Sequence, residues 1–202
     1  SETYYNLIIN NATGVKTAGG ALDIDGDLTV TAGELAMGGN NADVASGKTV
    51  DIDGTLSISS GTFTANGPTD IAGTLSITTT GVYDADNTFT AAGGIVNFDG
   101  AGTLKCSNTV TSLGNLSTDF GTVEYDGADA QTVISDTYRN LELDGDGSGQ
   151  KSAGGNVTVS GSFTITSDCE RYNTESYLTN VIGASDINST LRINNNSGVF
   201  DA

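Results

Sequence analysis

The chain has 202 residues, 28 of them Gly and one Pro, and 36% are hydrophobic. Its formal net charge is −18, from 25 acidic and seven basic residues, with no His. So acidic a chain is repelled by phosphate backbones and anionic bilayers, which excludes nucleic acid and membrane insertion among its partners. Only 16% of residues are charged, and Thr, Val and Ile abound, so the composition is that of an ordered β protein rather than a disordered one. No apolar run approaches the roughly 18–20 residues needed to span a bilayer. The start, Ser1-Glu2-Thr3, is neither basic nor apolar, so an exported protein is expected here in its mature form.

Taken in chain order, the first predicted strand is Tyr4–Ile9. The next follows a pattern that recurs: Ile24, Gly26, Leu28 and Val30 alternate with Asp and Thr. Alternation with period two and β-branched residues marks a half-buried strand. The Gly falls where an inward side chain is expected, which fits a bend at which the backbone turns close to the core. The pattern returns as Ile52, Gly54, Leu56, Ile58, then Ile71, Gly73, Leu75, Ile77, and later Val159, Gly161, Phe163, Ile165. Turns at Ala32-Gly33, Ser60-Gly61 and Thr80-Gly81 lead into further strands such as Thr62-Phe63-Thr64 and Val82-Tyr83. The spacings from Gly26 to Gly54 and from Gly54 to Gly73 match the coil lengths of solenoid repeats, with loops of unequal length.

A longer repeat overlies the short one. Thr3-Tyr4-Tyr5-Asn6-Leu7 matches Thr137-Tyr138-Arg139-Asn140-Leu141, and Lys16-Thr17-Ala18-Gly19-Gly20 matches Lys151-Ser152-Ala153-Gly154-Gly155. Val96–Gly100 pairs more loosely with Val123–Gly127. No helical period is present over a useful length. The expected fold is all-β, a parallel β-solenoid of irregular repeats over residues 1–166, with a divergent cap or assembly element at 167–202. A β-sandwich with donor-strand exchange is the alternative.

The block Gly121-Thr122-Val123-Glu124-Tyr125-Asp126-Gly127, Gln131-Thr132-Val133 and Thr137-Tyr138-Arg139-Asn140-Leu141 resembles repeat regions of large secreted bacterial adhesin-like surface proteins. That resemblance implies parallel β-solenoid repeats and an extracellular or cell-surface setting. It implies no biochemical activity.

Several residues are candidates for chemistry. Asp23, Asp25, Asp27, Asp51 and Asp53 would form a carboxylate ladder if their strands were neighbours, a site for calcium; the alternative is a solvated outer face. Asp144–Gly149 has the outline of a calcium loop, but Gly155 stands where a bidentate Glu belongs, so it reads as a turn. Cys106 points inward by alternation. With Cys169 it forms either a disulfide, the expectation for an extracellular protein, or two separate buried thiols. With no His to activate either thiol, neither is a nucleophile. Asp84 and Asp86 lack the Trp platforms and basic cluster of a glycan-cleaving site, so no enzyme is expected. Sequons stand at Asn11, Asn115, Asn156, Asn188 and Asn195.

The second Tyr-x-Asn-Leu copy is preceded by a strand block that the first lacks. Thr3, Tyr4, Tyr5, Asn6, Leu7, Ile8 and Ile9 are therefore expected to expose a strand edge that another subunit completes. Head-to-tail contacts of that kind give an open homopolymer, a structural filament. A stalk or calcium- or glycan-binding module of a larger surface protein is the alternative.

Overall fold

The computed structural model describes residues 1–145, 147–193 and 199–201. Among them every strand pair is parallel, and the chain winds into a stack of coils, a β-solenoid of about nine turns. No helix long and apolar enough to cross a membrane is present among the described residues. Each coil contributes strands to three faces. The first face is continuous and ten-stranded: Glu2–Tyr4, Leu22–Ile24, Ala42–Val44, Thr62–Ala65, Val82–Ala85, Thr103–Cys106, Thr122–Tyr125, Asn140–Leu143, Phe163–Ile165 and Ser185–Ile187. The β-sandwich alternative is thereby set aside, because a sandwich is built from antiparallel sheets.

The second and third faces begin joined. Leu7–Thr17 and Leu28–Ala36 each run through the corner between them. In later coils that corner separates Val50–Ile52 from Thr55–Ile58, Thr69–Ile71 from Thr74–Thr79, Phe89–Thr90 from Ile95–Gly100 and Val110–Ser112 from Asn115–Leu116. Both faces are then interrupted. They resume as two four-stranded sheets, Gln131–Val133, Gln150–Ala153, Arg171–Asn173 and Thr190–Arg192 on one, Thr137–Tyr138, Val157–Val159, Leu178–Val181 and Val199–Asp201 on the other. Arg171–Asn173, Leu178–Val181, Ser185–Ile187, Thr190–Arg192 and Val199–Asp201 thus prolong the same three faces.

Alternation explains the core. Inward positions stack in register from coil to coil. Leu22 lies over Ala42, Phe63, Tyr83, Leu104, Val123, Leu141 and Phe163, so one coil takes about 20 residues. In this column the Phe63 and Tyr83 rings stack at 5.3 Å. The Tyr83 hydroxyl is satisfied by Thr69 Oγ1 at 2.8 Å. Each fully buried Leu, Ile or Phe contributes roughly 1.5–3 kcal/mol of transfer free energy.

The corner between the second and third faces is lined by Gly33, Gly54, Gly73, Gly94 and Gly114, one above another. A Cβ on Gly73 would sit 2.0 Å from Gly54 O, and one on Gly54 would sit 2.5 Å from Gly33 O. Backbone meets backbone there, so only Gly fits.

The recurring sequence pattern builds corners, as expected, but not always the same corner. Gly26 turns the chain from the first face to the second, Gly54 and Gly73 from the second to the third, and Gly161 from the third back to the first. Only the Gly54–Gly73 spacing is one coil. The Gly26–Gly54 spacing is one coil plus one face. The longer repeat is shifted likewise: Tyr4 is on the first face and its match Tyr138 on the third.

The outer surface of the first face carries an acidic cluster. Asp84, Lys105, Glu124 and Glu142 stack in register, flanked by Asp86, Asp126 and Asp144. Lys105 Nζ bonds Glu124 Oε1 at 2.7 Å and lies 3.7 Å from Asp126 Oδ2. Burial, then neighbouring carboxylates, hold Asp84 and Glu142 above the usual carboxylate range, and burial outweighs the Lys105 contact at Glu124 to do the same. Raised folded-state values penalise the charged forms, so this penalty is present at neutral pH and disappears as pH falls through the folded values towards the ordinary range. Asp27 is lowered by its bond from the Thr49 amide and acts oppositely, but only below that range. The melting midpoint is therefore expected to rise as pH falls from 8 towards the ordinary carboxylate range. Calorimetry across that span checks it, and a flat or falling midpoint would refute the assignment.

Candidate assembly faces

The two ends of the stack are built from the same elements as its middle, with one neighbour in place of two. Glu2–Tyr4 pairs with Leu22–Ile24 and Leu7–Thr17 with Leu28–Ala36; on their other side these strands have no partner among the described residues. Thr3-Tyr4-Tyr5-Asn6-Leu7-Ile8-Ile9 forms the rim of this end. Tyr4, Leu7 and Ile9 face inward, over Ile24, Leu28 and Val30. Tyr5 and Ile8 point out and are 74% and 67% exposed. Asn6 serves the corner, its Oδ1 accepting the Asp27 amide at 2.8 Å. Thr3 Oγ1 reaches Asp23 Oδ2 at 3.5 Å. The mouth between these residues is a hollow of about 210 Å³.

Two charged side chains share that mouth. Glu2 lies over Leu22 and Lys16 over Leu35, both inward positions. The Tyr4 hydroxyl donates to Glu2 Oε2, and this bond holds the phenol above its usual pKa. Sequence reading passed over both residues, since a charge in a strand is read as outward. The match of Lys16 to Lys151 was the available signal.

The opposite end is closed by Ser185–Ile187, Thr190–Arg192 and Val199–Asp201, each paired on one side among the described residues. Ile187 lies over Ile165, Leu191 over Tyr172 and Phe200 over Thr179, so all three continue inward columns. The Phe200 ring lies 5.9 Å from that of Phe163. Ile182 and Ile193 add exposed apolar surface at this end.

The other candidates are not gathered into a site. Asp23 stacks with Thr3 and Asp43, whereas Asp51 stacks with Thr29 and Asp70 on a different face. The ladder expected from Asp23, Asp25, Asp27, Asp51 and Asp53 is divided by the one-face shift of its motif. Asp27 instead caps a corner, Oδ1 accepting the Thr49 amide at 2.9 Å. Among the described residues no group of three or more His, Cys, Asp or Glu is disposed to hold a metal ion. Asp146, within the Asp144–Gly149 turn, and the Asn195 sequon lie outside the described residues. Asn156 Oδ1 accepts the Leu178 amide, a corner role. Asp84 and Asp86 stand on the outer surface of the first face.

Cys106 and Cys169 are free and buried, and burial raises both thiols. Three strand spacings, about 14 Å, separate their coils. Disulfides need Cα atoms within about 7 Å, so the expected bridge is not formed here, and the tail is joined to the solenoid by strand pairing.

A scan against protein-family models and comparisons with curated proteins and with solved structures returned no match.

Proposed function

We propose that the protein is a non-enzymatic structural subunit of an extracellular filament or surface fibre, assembled by head-to-tail stacking of solenoids into a homopolymer. One observation carries this reading: both ends present strands on all three faces, with edges unpaired among the described residues and Tyr4, Leu7 and Ile9 at one end and Ile187, Leu191 and Phe200 at the other continuing inward columns. Stacking the first coil of one copy on the last coil of another continues the ladder, with Tyr4 over Ile187 and Thr3 over Asp186. Such a contact is heterologous and does not close, so it propagates. Edges of this kind are templates for strand addition.

A second reading is favoured by the Gly121–Leu141 block and its likeness to adhesin-like surface proteins. There the chain is a stalk module, and neighbouring coils of one polypeptide cover the same ends. Electron microscopy of the concentrated chain separates the two, since only the first gives regular fibres. The register has its own test. Thr3 and Asp186 both face outward on the first face, and stacked copies bring their Cα atoms to about 5 Å, within disulfide range. The double variant Thr3→Cys/Asp186→Cys is expected to give a ladder of covalent multimers under oxidation, with neither single variant doing so. Deleting residues 1–10 should leave a folded β protein that does not polymerise; normal filaments from that deletion would exclude the model.

A further inference from the structure

Two corners of the solenoid are one residue shorter than the corners they pack on. Tyr4 lies over Ile24 and Leu7 over Leu28, so Tyr5-Asn6 spans the bend that Asp25-Gly26-Asp27 makes in the next coil. Tyr138 lies over Val159 and Leu141 over Phe163, so Arg139-Asn140 likewise spans Ser160-Gly161-Ser162. A short corner lacks one peptide group, and its absence leaves main-chain groups in the neighbouring coils without a partner. At Asn140 a side chain takes its place. The Asn140 Oδ1 accepts the Ser162 amide at 2.9 Å in the coil after, and the Nδ2 donates to Gly121 O at 2.8 Å in the coil before. A carboxamide carries the acceptor and the donor of a main-chain peptide, so one Asn restores both bonds.

Asn6 makes the first half of this arrangement, its Oδ1 accepting the Asp27 amide at 2.8 Å. The surroundings match as well. A Cβ on Gly26 would meet Tyr5 O at 1.8 Å and Asn6 Oδ1 at 2.1 Å, and one on Gly161 would meet Asn140 Oδ1 at 2.5 Å and Arg139 O at 2.6 Å. Asn6 turns the chain from the first face to the second and Asn140 from the third to the first, so the arrangement belongs to the short corner and not to one face. The Asp27 donor fixes the Asn6 oxygen, which leaves the Nδ2 arm for the side where Glu2–Tyr4 and Leu7–Thr17 have no strand partner among the described residues. We infer that Asn6 is the positioning residue of the N-terminal face: when the C-terminal coil of a second copy stacks there, Asn6 Nδ2 donates to the Ser189 carbonyl of that copy, as Asn140 Nδ2 donates to Gly121 O. This rests on the head-to-tail reading and names the group that fixes its register. With Tyr4 over Ile187, Leu7 comes over Leu191, the next inward residue of the C-terminal coil. Ser189 stands two positions before Leu191, as Gly121 stands two before Val123, over which Leu141 lies. The Ser189 carbonyl receives no bond among the described residues.

Asn6→Asp isolates the Nδ2 arm. A carboxylate serves the acceptor half at this same corner, since Asp27 Oδ1 takes the Thr49 amide at 2.9 Å. The variant is therefore expected to melt as the native monomer does. Its critical concentration for assembly is expected to rise at least about tenfold, because a carboxylate then faces the carbonyl that the donor would have met. Asn10→Asp is the control: it adds the same charge to the same strand at an exposed position and should change the critical concentration by less than about threefold, as exposed charges do. The contact itself is read in filaments co-assembled from nitrogen-labelled and carbon-labelled copies, where solid-state NMR reports nitrogen–carbon proximities between copies alone. A cross-peak from the Asn6 carboxamide nitrogen to the Ser189 carbonyl carbon is expected. Filaments that lack it, or an Asn6→Asp variant that assembles as Asn10→Asp does, would overturn the inference and leave the filament reading standing. A native chain that stays monomeric at every concentration would overturn both.

Discussion

Gly73→Val is expected to destabilise the solenoid by about 3 kcal/mol, which lowers the melting midpoint by about 6–12 °C. The position is partly exposed and has no positive φ. Its constraint is contact: a Cβ would lie 2.0 Å from Gly54 O and 2.4 Å from Asp53 O. Neither atom is the end of a flexible side chain, so relief requires the two coils to move apart. Separation at one corner strains the ladders on both adjoining faces, including the bonds from Gly73 N to Ile52 O and Thr74 N to Gly54 O. Gly20→Ala is the matched control, because nothing lies within 4 Å of its Cβ position. Thermal unfolding of the two variants by circular dichroism checks the contrast. Equal effects would mean that the glycine column is not what sets coil spacing.

Gln131→Leu tests a different junction. Between the coils of residues 103–116 and 122–138 the second and third faces have no ladder among the described residues, and only the first face runs through. Gln131 substitutes for the missing ladder with its side chain. Its Nε2 donates to Cys106 O at 2.7 Å and to Asn108 O at 2.8 Å, and its Oε1 accepts the Gly127 amide at 2.8 Å. Tyr125 and Tyr138 add a hydroxyl pair at 3.3 Å, tied to Ile134 by Ile134 N donating to Tyr125 Oη and Tyr138 Oη donating to Ile134 O. Leu fills the space but leaves a buried amide and two carbonyls without that partner, an expected loss of about 3 kcal/mol. Because solenoid stability is a sum of coil and interface contributions, weakening this interface should also split a single unfolding transition into two. Urea unfolding followed by circular dichroism reads both effects. A variant that unfolds in one transition at the native midpoint would show that the first face alone couples the two halves.

Much of the fold was legible in the sequence, and the limits have physical causes. Inward alternation at Ile24, Leu28 and Val30, the corner role of Gly26 and Gly54, and the inward Cys106 all follow from period two and from what a missing side chain permits. The phase of the coils did not follow. A motif about seven residues long specifies one corner, while a coil of about 20 residues has three, and alternation is identical on every face. The carboxylate ladder failed for that reason: Asp23 and Asp51 occupy equal places in the motif but different faces of the solenoid. The disulfide failed for a related one, since separation along the axis depends on counting coils between Cys106 and Cys169. Lys16 and Glu2 were passed over because inward charge is exceptional in a packed core.

The interchangeability of corners has a consequence for how such a chain can change. Inserting one strand and one Gly bend, rather than a whole coil, advances every later residue by about a third of a revolution around the axis. The core tolerates the step, because the same motif already fits all three bends, as Gly26, Gly54 and Gly161 do. Whatever the outer surface carries downstream, such as the Lys105 carboxylate cluster, is thereby re-aimed without redesign of the interior. Lineages of such chains can index their decoration around a rod like positions on a dial, keeping the rod itself unaltered.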